Sequence, residues 1–376
     1  MNGRQGPREL GVSFGPGLTG PRNAITDVPG VKVGHCTLIE GSGKLCEGKG
    51  PIRTGVTVVM PHSGNLFAQP VKGAYFDLNG CGGLSGALQI REFGVIETPI
   101  FLTNTMSMGA VAEAAVRHTL KLNPTSGITD DTCIPIVSEC DDSYLNDSRG
   151  FHVREEHVVK AIESATSDLI EEGAVGAGTG MSAYDFKGGI GTSSRKVRTP
   201  AGEHIVGVLV LANHGERSDL LVRGIPIGRL LDAPNPKRRE SGSIVMVVGT
   251  DAPVDARQLG RLAKRAPLGL ALTGSCAHSG SGDIVIAFST ANVHNRFIGE
   301  PTLTDRFMRD GDMDALFRGT VDATEEAILN ALFKADTTTG RDDHVVPGLP
   351  VDATIGILKA HGLVHRNAEA TRADGR

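Results

Sequence analysis

The sequence contains no tryptophan, and aromatic residues make up only 4% of its 376 residues. A core with so few large rings must be built mainly from Val, Ile, Leu and Ala. An uninterrupted apolar run of about 18 residues is also missing, so no membrane-spanning helix and no membrane partner are predicted. Residues 1–18 are polar and rich in glycine. They do not resemble a secretory signal, and a cytoplasmic location is expected.

Positive charge is not in excess, because 43 Asp and Glu residues outnumber 38 Lys and Arg residues. A nucleic-acid platform carries a basic face, so no nucleic-acid partner is predicted, and the short run Lys237-Arg238-Arg239 is interpreted as a solvated loop. The six cysteines are scattered without a C-x-x-C pair. Such spacing is typical of reduced thiols in a cytosolic protein rather than of a disulfide framework.

Motifs for nucleotide or metal cofactors are missing as well. The run Gly176-Ala-Gly178-Thr-Gly180 matches neither G-x-G-x-x-G nor a P-loop, and we expect its glycines to let backbones pack closely. His152 and His157 are five residues apart, which differs from the H-E-x-x-H spacing that places two imidazoles on one helix face. No metal and no organic cofactor are therefore predicted for the reaction.

Glycine is the residue in excess, at 50 of 376 residues against a usual share of about 7%. Apolar periodicity predicts strands over 55–60, 99–102, 134–137, 204–212, 244–248 and 283–288, and helices over 84–93, 108–120, 157–172, 256–266 and 314–334. Because these elements do not follow a regular βαβ rhythm, the sequence predicts an α/β (α+β) protein with mixed or antiparallel sheets between helices. The ends, 1–20 and 367–376, are predicted to be flexible.

The segment from Arg238 to Val248 carries the most chemical information, because a polar loop there meets Gly242, Ser243 and an apolar run. One interpretation is a loop that enters a buried strand, since most Gly-Ser steps mark only a turn. The other is a self-cleaving precursor, in which the Ser243 hydroxyl attacks the unhindered Gly242 carbonyl and water opens the ester. Ser243 would then begin a new chain, and its α-amine, with a pKa of about 7.7–8.0, could act as its base.

Other polar residues at predicted strand ends are candidates for the same chemistry. Ser281 and Asp283 are two residues apart, so in extended backbone the carboxylate can orient the hydroxyl, although Ser-Gly-Ser-Gly-Asp is also a common loop composition. Asn213 ends a strand, where its amide can donate a hydrogen bond to a developing oxyanion or can simply terminate the strand. Glu139 belongs to an acidic cluster after a strand, which can bind a cation or a substrate amine or can form a solvated turn.

Several segments strengthen the precursor interpretation because they occur together in one order: NAITDVPGVKVGH, RTGVTVVMPH, NTMSMGAV, ECDDSYLND, GAVGAGTGM with GGIGTSS, VGVLVLANHG, SGSIVMVVGTDAP and SGDIVIAFSTAN. This ordered set resembles the self-processing L-aminopeptidase/D-esterase family, which includes the β-aminopeptidases. The resemblance extends from about residue 21 to residue 360. It implies a four-layer αββα sandwich that is made as an inactive precursor and cut once at a Gly-Ser bond.

Carried onto this chain, the resemblance implies one domain, 1–376, cut after Gly242 into an α fragment, 1–242, and a β fragment, 243–376. The residues that match the family's catalytic positions are Ser243 as nucleophile, Ser281 as second serine, Asp283 as acidic residue and Asn213 as oxyanion donor. The family's active-site tyrosine falls by motif position on Asp141 or Tyr144, and Tyr144 is kept as a candidate. The resemblance also implies a homo-oligomer, a tetramer of cleaved αβ protomers.

These features predict an aminopeptidase or amidase that releases small N-terminal residues from short peptides, amides and esters. The residues released would be L-amino acids, D-alanine or β-amino acids, and Glu139 would hold the substrate's ammonium group. Two alternatives stay open. One is an amidase on the same scaffold that cleaves linear ω-amino acid oligomers, although such enzymes tend to use Thr as nucleophile. The other is an uncleaved, non-catalytic binding protein.

Overall fold

The computed structural model of this chain describes residues 3–231, 242–299 and 302–365. Its strands, in chain order, are β1 (Lys32–Glu40), β2 (Ile52–Met60), β3 (Val71–Gly80), β4 (Val95–Ile96), β5 (Ile100–Asn104), β6 (Ile136–Cys140), β7 (Ser182–Ala183), β8 (Phe186–Lys187), β9 (Gly189–Thr199), β10 (Gly202–Asn213), β11 (Ser243–Thr250), β12 (Gly282–Ser289), β13 (Thr338–Thr339) and β14 (Val345–Val346). Its α-helices are α1 (Ala87–Phe93), α2 (Met108–Leu122), α3 (Glu155–Glu163), α4 (Ile227–Leu230), α5 (Ala256–Ala263), α6 (Ala266–Leu272), α7 (Asp314–Phe333) and α8 (Val351–Ala360).

Two sheets form the centre of the fold. The smaller sheet has the strand order β1-β2-β5-β6, and the larger has the order β4-β3-β12-β11-β10-β9. Strands β5 and β6 run parallel, and so do β11 and β12, whereas the other neighbours within these two sheets are antiparallel. The mixed pairing predicted from the irregular order of elements is therefore confirmed.

The layers follow from the alternation of side chains along β10. Val208 and Val210 pack on the helical side of the larger sheet, whereas Leu209 and Leu211 pack between the two sheets, since successive strand residues face opposite sides. Helices α2 and α3 cover the outer face of the smaller sheet. Helices α5 and α7 cover the outer face of the larger sheet, and α6 packs against α7. The fold is thus the four-layer αββα sandwich that the resemblance implies.

One end of the larger sheet brings three chain segments together. Strand β10 ends at Asn213, and the neighbouring β11 begins at Ser243, directly opposite it in the antiparallel register. Strand β12 runs parallel to β11 and begins beside it, with Asp283 paired to Ile244. Residues far apart in sequence therefore meet at this end of the sheet, and the candidate site lies here.

The glycine-rich tract permits close packing of backbones, as predicted. A Cβ atom on Gly178 would lie 2.6 Å from the Ile190 nitrogen, and one on Gly180 would lie 2.3 Å from the Arg53 carbonyl oxygen. Both distances are shorter than any ordinary van der Waals contact, so only glycine fits at these positions.

The predicted helix over 157–172 is wrong in its second half, because α3 ends at Glu163. The Ser164 hydroxyl accepts a hydrogen bond from the His35 backbone N–H at 3.1 Å, and Thr166 exchanges backbone hydrogen bonds with Val33 at 3.0 Å. Ser, Thr and Asp side chains compete with helical hydrogen bonds. The chain therefore leaves the helix and pairs with the edge strand β1, well before Gly173.

The predicted helix over 256–266 is also shorter than expected. It ends at Ala263, and a second helix begins at Ala266 with Pro267 in its first turn. Proline has no backbone N–H and cannot continue a preceding helix, whereas it is well accommodated in the first turn of a new one. The apolar periodicity continued across the break and concealed it.

The start of the chain differs from the flexible end expected for 1–20. Phe14 is fully buried, and the Arg4 guanidinium donates to the Phe333 carbonyl at 2.8 Å. At least part of the segment 3–20 therefore packs against the body of the protein, although Leu18 is largely exposed. The flexible end expected for 367–376 and the basic run at 237–239 lie outside the described residues. Within the described part of the chain, no helix has the length and apolarity needed to cross a membrane.

Candidate active site

Ser243 opens β11, a strand in which every residue is buried. The residue before it, Gly242, approaches the neighbouring strand closely: a Cβ there would lie 2.2 Å from the Asn213 carbonyl oxygen and 2.7 Å from the His214 Cα. Any side chain at position 242 would therefore push β10 and β11 apart. The Gly-Ser step lies at the entrance of a buried strand, which both interpretations of this segment allow, and the glycine in it is required by packing.

The Ser243 hydroxyl is held by the start of the neighbouring strand β12. The Gly282 backbone N–H donates to Ser243 Oγ at 3.1 Å. A Cβ on Gly282 would lie 2.6 Å from the Cys81 carbonyl oxygen, so glycine is needed here for the strand to come this close. The hydroxyl oxygen that accepts this backbone hydrogen bond is fixed in position, and its second lone pair stays available.

Ser281 and Asp283 form the pair that their spacing predicts. The Ser281 hydroxyl donates to Asp283 Oδ1 at 2.8 Å, and Asp283 is completely buried. Burial raises the pKa of the Asp283 carboxyl above its usual value, and the Ser281 hydrogen bond opposes part of that rise. The second carboxylate oxygen, Oδ2, has no hydrogen-bond partner among the described residues. This group can therefore take up a proton more readily than an exposed aspartate can.

Asn213 lies across from Ser243, and its side chain is held at both ends. Its Oδ1 accepts from the Ser182 backbone N–H at 2.9 Å, and its Nδ2 donates to the Asp141 carbonyl at 2.9 Å. Directly opposed residues of antiparallel strands have side chains on the same face, with Cβ atoms about 4.5–5.5 Å apart. The register therefore places the Asn213 side chain on the same face of the sheet as Ser243, and its Nδ2 carries a second hydrogen besides the one donated to Asp141.

A cleft of about 450 Å³ opens beside Ser243. A volume of this size accommodates a small ligand rather than a folded partner. The residues that line it come from both sheets and from the start of α2: Cys81, Gly82, Gly83, Thr105, Met108, Glu139, Asp141, Gly242, Ser243 and Gly280.

Glu139 is a buried carboxylate in the wall of this cleft, with 5% of its surface exposed. One carboxylate oxygen accepts from the Gly83 backbone N–H at 2.6 Å, and the other accepts from the Thr105 hydroxyl. Both donors are neutral, and no Lys, Arg or His forms an ion pair with Glu139 within residues 3–231, 242–299 and 302–365. Since a buried carboxylate is usually paired with a cation, the cleft is suited to bind one.

Tyr144 lies apart from these residues. Its ring stacks on His344 with 4.5 Å between centroids, and it is not among the residues that line the cleft. Asp141, the other position considered for the tyrosine, does line the cleft and is exposed. The structure therefore brings together Ser243, Asn213, Glu139 and the Ser281–Asp283 pair, but not Tyr144.

Sequence reasoning missed three contributors to the site. The Gly282 N–H holds the Ser243 hydroxyl, and Gly83 and Thr105 hold Glu139. A hydrogen bond from a backbone N–H cannot be recognised from the residue types in a sequence. Thr105 lies within the segment NTMSMGAV, whose recurrence contributed to the resemblance, but a Thr at a helix entrance is also a common capping residue.

His214, which follows Asn213, was also missed. Complete burial lowers its pKa to about 3, and neither ring nitrogen has a hydrogen-bond partner within the described ranges. Its ring packs edge-on against Tyr184, with 5.0 Å between centroids. A neutral imidazole in this position adds no positive charge next to Asn213.

His152 and His157, whose spacing argues against a zinc site, have separate hydrogen-bond partners. His152 contacts the Asp147 carboxylate at 2.9 Å, and His157 accepts from the Arg154 backbone N–H at 3.0 Å. Neither belongs to a group of three ligand-type side chains in the part of the chain that the structure describes.

Comparison with known proteins gives concordant matches along most of the chain. The sequence profile of peptidase family S58 matches residues 23–346. The β-peptidyl aminopeptidase BapA of Sphingosinicella microcystinivorans is 41% identical over an alignment of 375 residues. The match covers 95% of this chain and 93% of that protein.

Solved structures are equally similar. The PH0078 protein of Pyrococcus horikoshii OT3 superposes with a TM-score of 0.92 at 49% identity, covering 95% of this chain and 99% of that one. The L-aminopeptidase D-Ala-esterase/amidase of Ochrobactrum anthropi, a serine aminopeptidase with a variant of the Ntn hydrolase fold, superposes with a TM-score of 0.89 at 37% identity. That match covers 96% of this chain and 99% of the other.

Proposed function

Because this chain belongs to peptidase family S58, we propose that it is a self-processing serine aminopeptidase whose active site is the cleft beside Ser243. The relatives reported above are a β-peptidyl aminopeptidase and an L-aminopeptidase D-Ala-esterase/amidase, and the chain is accordingly a hydrolase that removes N-terminal residues. The observation that carries the residue assignment is the position of the Ser243 hydroxyl, which meets a substrate-sized cleft at the mouth of a buried central strand.

The first reaction in this proposal is a cut in the chain itself. The Ser243 oxygen attacks the Gly242 carbonyl carbon, the carbon–nitrogen bond breaks, and the hydroxyl proton ends on the departing Ser243 nitrogen. Water then hydrolyses the ester, which leaves a carboxylate on Gly242 and restores the Ser243 hydroxyl. The products are an α fragment, 1–242, and a β fragment, 243–376, and the β fragment begins with the nucleophile.

The second reaction is turnover of substrate. The Ser243 oxygen attacks the substrate carbonyl, and its proton passes to its own α-amine or to the Ser281–Asp283 pair. The second Asn213 Nδ2 hydrogen and nearby backbone N–H groups stabilise the oxyanion, and each donor contributes about 3–4 kcal/mol. The leaving amine or alcohol takes up the proton, and water hydrolyses the acyl-enzyme. Every group required is supplied by the chain, so the proposal includes no metal or organic cofactor.

Glu139 gives the proposed enzyme its specificity for a free amino terminus. It is buried, it is bonded only to neutral donors, and it shares the cleft with Ser243. A substrate ammonium would supply the missing positive partner while its carbonyl reaches the Ser243 oxygen. Asp141, at the exposed rim of the same cleft, adds negative charge that favours a cationic substrate.

The two alternatives from the sequence are not favoured. The relatives with assigned activities are aminopeptidases, which argues against hydrolysis of ω-amino acid oligomers and against a non-catalytic binding protein. The tetramer of cleaved protomers and the cytoplasmic location stay predictions. The tetramer can be tested by light scattering of the purified protein.

The experiment that tests this proposal compares wild type with Ser243→Ala on a denaturing gel and in hydrolysis of alanine and β-alanine p-nitroanilides. We expect two bands and activity for wild type, and one uncut, inactive chain for Ser243→Ala. Ser63→Ala, which alters an exposed serine away from the cleft, serves as the control and should be cut and active. A Ser243→Ala protein that still splits at this bond would remove Ser243 from the mechanism.

A further inference from the structure

Outside the cleft, three side chains of the types that bind transition metals converge on one point. They are Asp219, Cys276 and His278, and their nearest ligand atoms all lie within 4.8 Å of one another. His278 Nε2 is the central atom, 3.2 Å from Asp219 Oδ2 and 3.4 Å from Cys276 Sγ. Cys276 is exposed, and the other two side chains are partly exposed, so an ion in solution can reach them.

Two of the three spacings between these atoms match the edges of a zinc tetrahedron, and the third, between Asp219 and Cys276, is no longer than 4.8 Å. With Zn–N and Zn–O bonds of about 2.0–2.1 Å and a Zn–S bond of about 2.3 Å, tetrahedral geometry places nitrogen about 3.3 Å from oxygen and about 3.5 Å from sulfur. The distances in this chain are 3.2 Å and 3.4 Å. An ion could therefore enter between the three atoms if the Asp219 oxygen and the Cys276 sulfur come within about 3.5 Å of each other, which the exposed Cys276 side chain permits.

The backbone holds the ligands in place before any ion binds. The Leu221 N–H donates to the Thr273 carbonyl at 2.9 Å, which joins the two segments that carry the ligands. Gly274 sits directly against Asp219, since a Cβ there would lie 1.8 Å from the Asp219 carbonyl oxygen, and its φ of +99° also favours glycine. Between Cys276 and His278, Ala277 has a φ of +54°, an uncommon value for alanine.

We propose that Asp219, Cys276 and His278 bind one Zn²⁺ ion through Oδ2, Sγ and Nε2, with water as the fourth ligand. A thiolate with an imidazole selects a borderline-soft ion such as Zn²⁺ and disfavours Mg²⁺ and Ca²⁺, which prefer oxygen ligands. The Cys276 thiol gives up its proton to the solvent as the sulfur–zinc bond forms. No oxidation or reduction is involved.

The bound ion would join two segments that flank the proposed active site. Asp219 follows Asn213 by a few residues, and His278 precedes Ser281 in the loop that leads into β12. The His278 carbonyl accepts from the Ser281 N–H at 2.8 Å and from Asn79 Nδ2 at 2.8 Å. An ion held by the His278 side chain therefore stabilises the loop that carries Ser281, without contacting the Ser243 hydroxyl.

The test is zinc binding to the reduced, metal-stripped protein, measured by isothermal titration calorimetry and by metal analysis after dialysis. We expect one Zn²⁺ per chain and a rise in melting temperature, because an ion that binds only the folded state stabilises it. Cys276→Ser, His278→Ala and Asp219→Asn should each weaken binding at least about tenfold, since even the loss of a supporting contact to a ligand costs that much. Excess Mg²⁺ should not compete.

Two matched variants separate this site from others. Cys46→Ser removes an exposed cysteine elsewhere and should bind Zn²⁺ like wild type. Ser243→Ala should also bind normally, so a failure of the proposed peptidase mechanism would leave this result unaffected, and the reverse also holds. Co²⁺ should give a thiolate-to-metal charge-transfer band in the near ultraviolet for wild type, but not for Cys276→Ser.

Two outcomes would overturn the proposal. One is a wild-type protein that retains no Zn²⁺ at micromolar free zinc. The other is unchanged zinc affinity and an unchanged Co²⁺ spectrum in Cys276→Ser and His278→Ala. Cys276 is exposed, so its replacement by serine should not prevent folding, and the melting temperature without metal checks this.

Discussion

Replacing Glu139 by Gln removes one negative charge from the cleft and changes little else. Glutamine has the same shape, its Oε1 can still accept from the Gly83 N–H, and its Nε2 can donate to the Thr105 oxygen because a hydroxyl also accepts. A hydrogen bond to a charged group contributes about 1.5–3 kcal/mol. For a substrate with a free amino terminus, kcat/KM should therefore fall about 10- to 150-fold, mainly through a higher KM.

The decisive assay pairs β-alanine p-nitroanilide with propionic acid p-nitroanilide, which lacks only the amino group. Glu139→Gln should hydrolyse the first much more slowly than wild type, while the rate on the second should be nearly unchanged. Asp141→Asn is the matched control, because Asp141 is an exposed acid at the rim of the same cleft and should cost far less. If Glu139→Gln lowered kcat/KM equally on both substrates, Glu139 would have a structural role and would not bind the substrate's ammonium group.

Three further predictions follow from packing and burial. Asp283→Asn should fold but lose about 10²–10⁴-fold in kcat. Because burial raises the pKa of Asp283, lowering the pH should reduce wild-type activity at a higher pH than an ordinary aspartate would give. An Asp283→Asn enzyme with the wild-type pH profile would contradict this. Gly242→Ala should slow self-cleavage on a time-course gel, since its Cβ would clash with the Asn213 carbonyl, and cleavage at the wild-type rate would show that the clash is relieved. Burial raises the pKa of Asp142 to about 7, so the folded state binds this proton more tightly than the unfolded state does. Urea titrations of wild type should therefore show the free energy of unfolding decreasing as the pH rises from about 4 to about 7. The decrease should be smaller in Asp142→Asn.

Sequence reasoning predicted the fold where the signal was local. Apolar runs located the core strands, because β10, β11 and β12 are buried on both faces and tolerate almost no polar residue in their interiors. It failed where a longer-range contact decided the outcome. Thr166 leaves the helical pattern to pair with Val33 on β1, and no local periodicity records a partner more than a hundred residues away.

The candidate site divides in the same way. The Ser281–Asp283 hydrogen bond could be predicted, because residues two apart in extended backbone share a side. Asn213 lies opposite Ser243 because of the register between β10 and β11, the two strands on either side of the proposed cleavage loop. Local sequence patterns do not determine this register, and only the resemblance placed both residues in one site. The Gly282 N–H contact could not be anticipated at all, because it depends on β12 lying parallel to β11 rather than on the chemistry of a side chain.

In the proposed mechanism, the active enzyme contains a polypeptide that begins with Ser243. The most direct test of this mechanism is mass spectrometry with N-terminal sequencing of fully active, purified protein. We expect two polypeptides of 242 and 134 residues in equal amounts, the smaller one starting Ser-Ile-Val-Met with an unmodified α-amine. A fully active chain that is intact across Gly242 and Ser243 would contradict the mechanism.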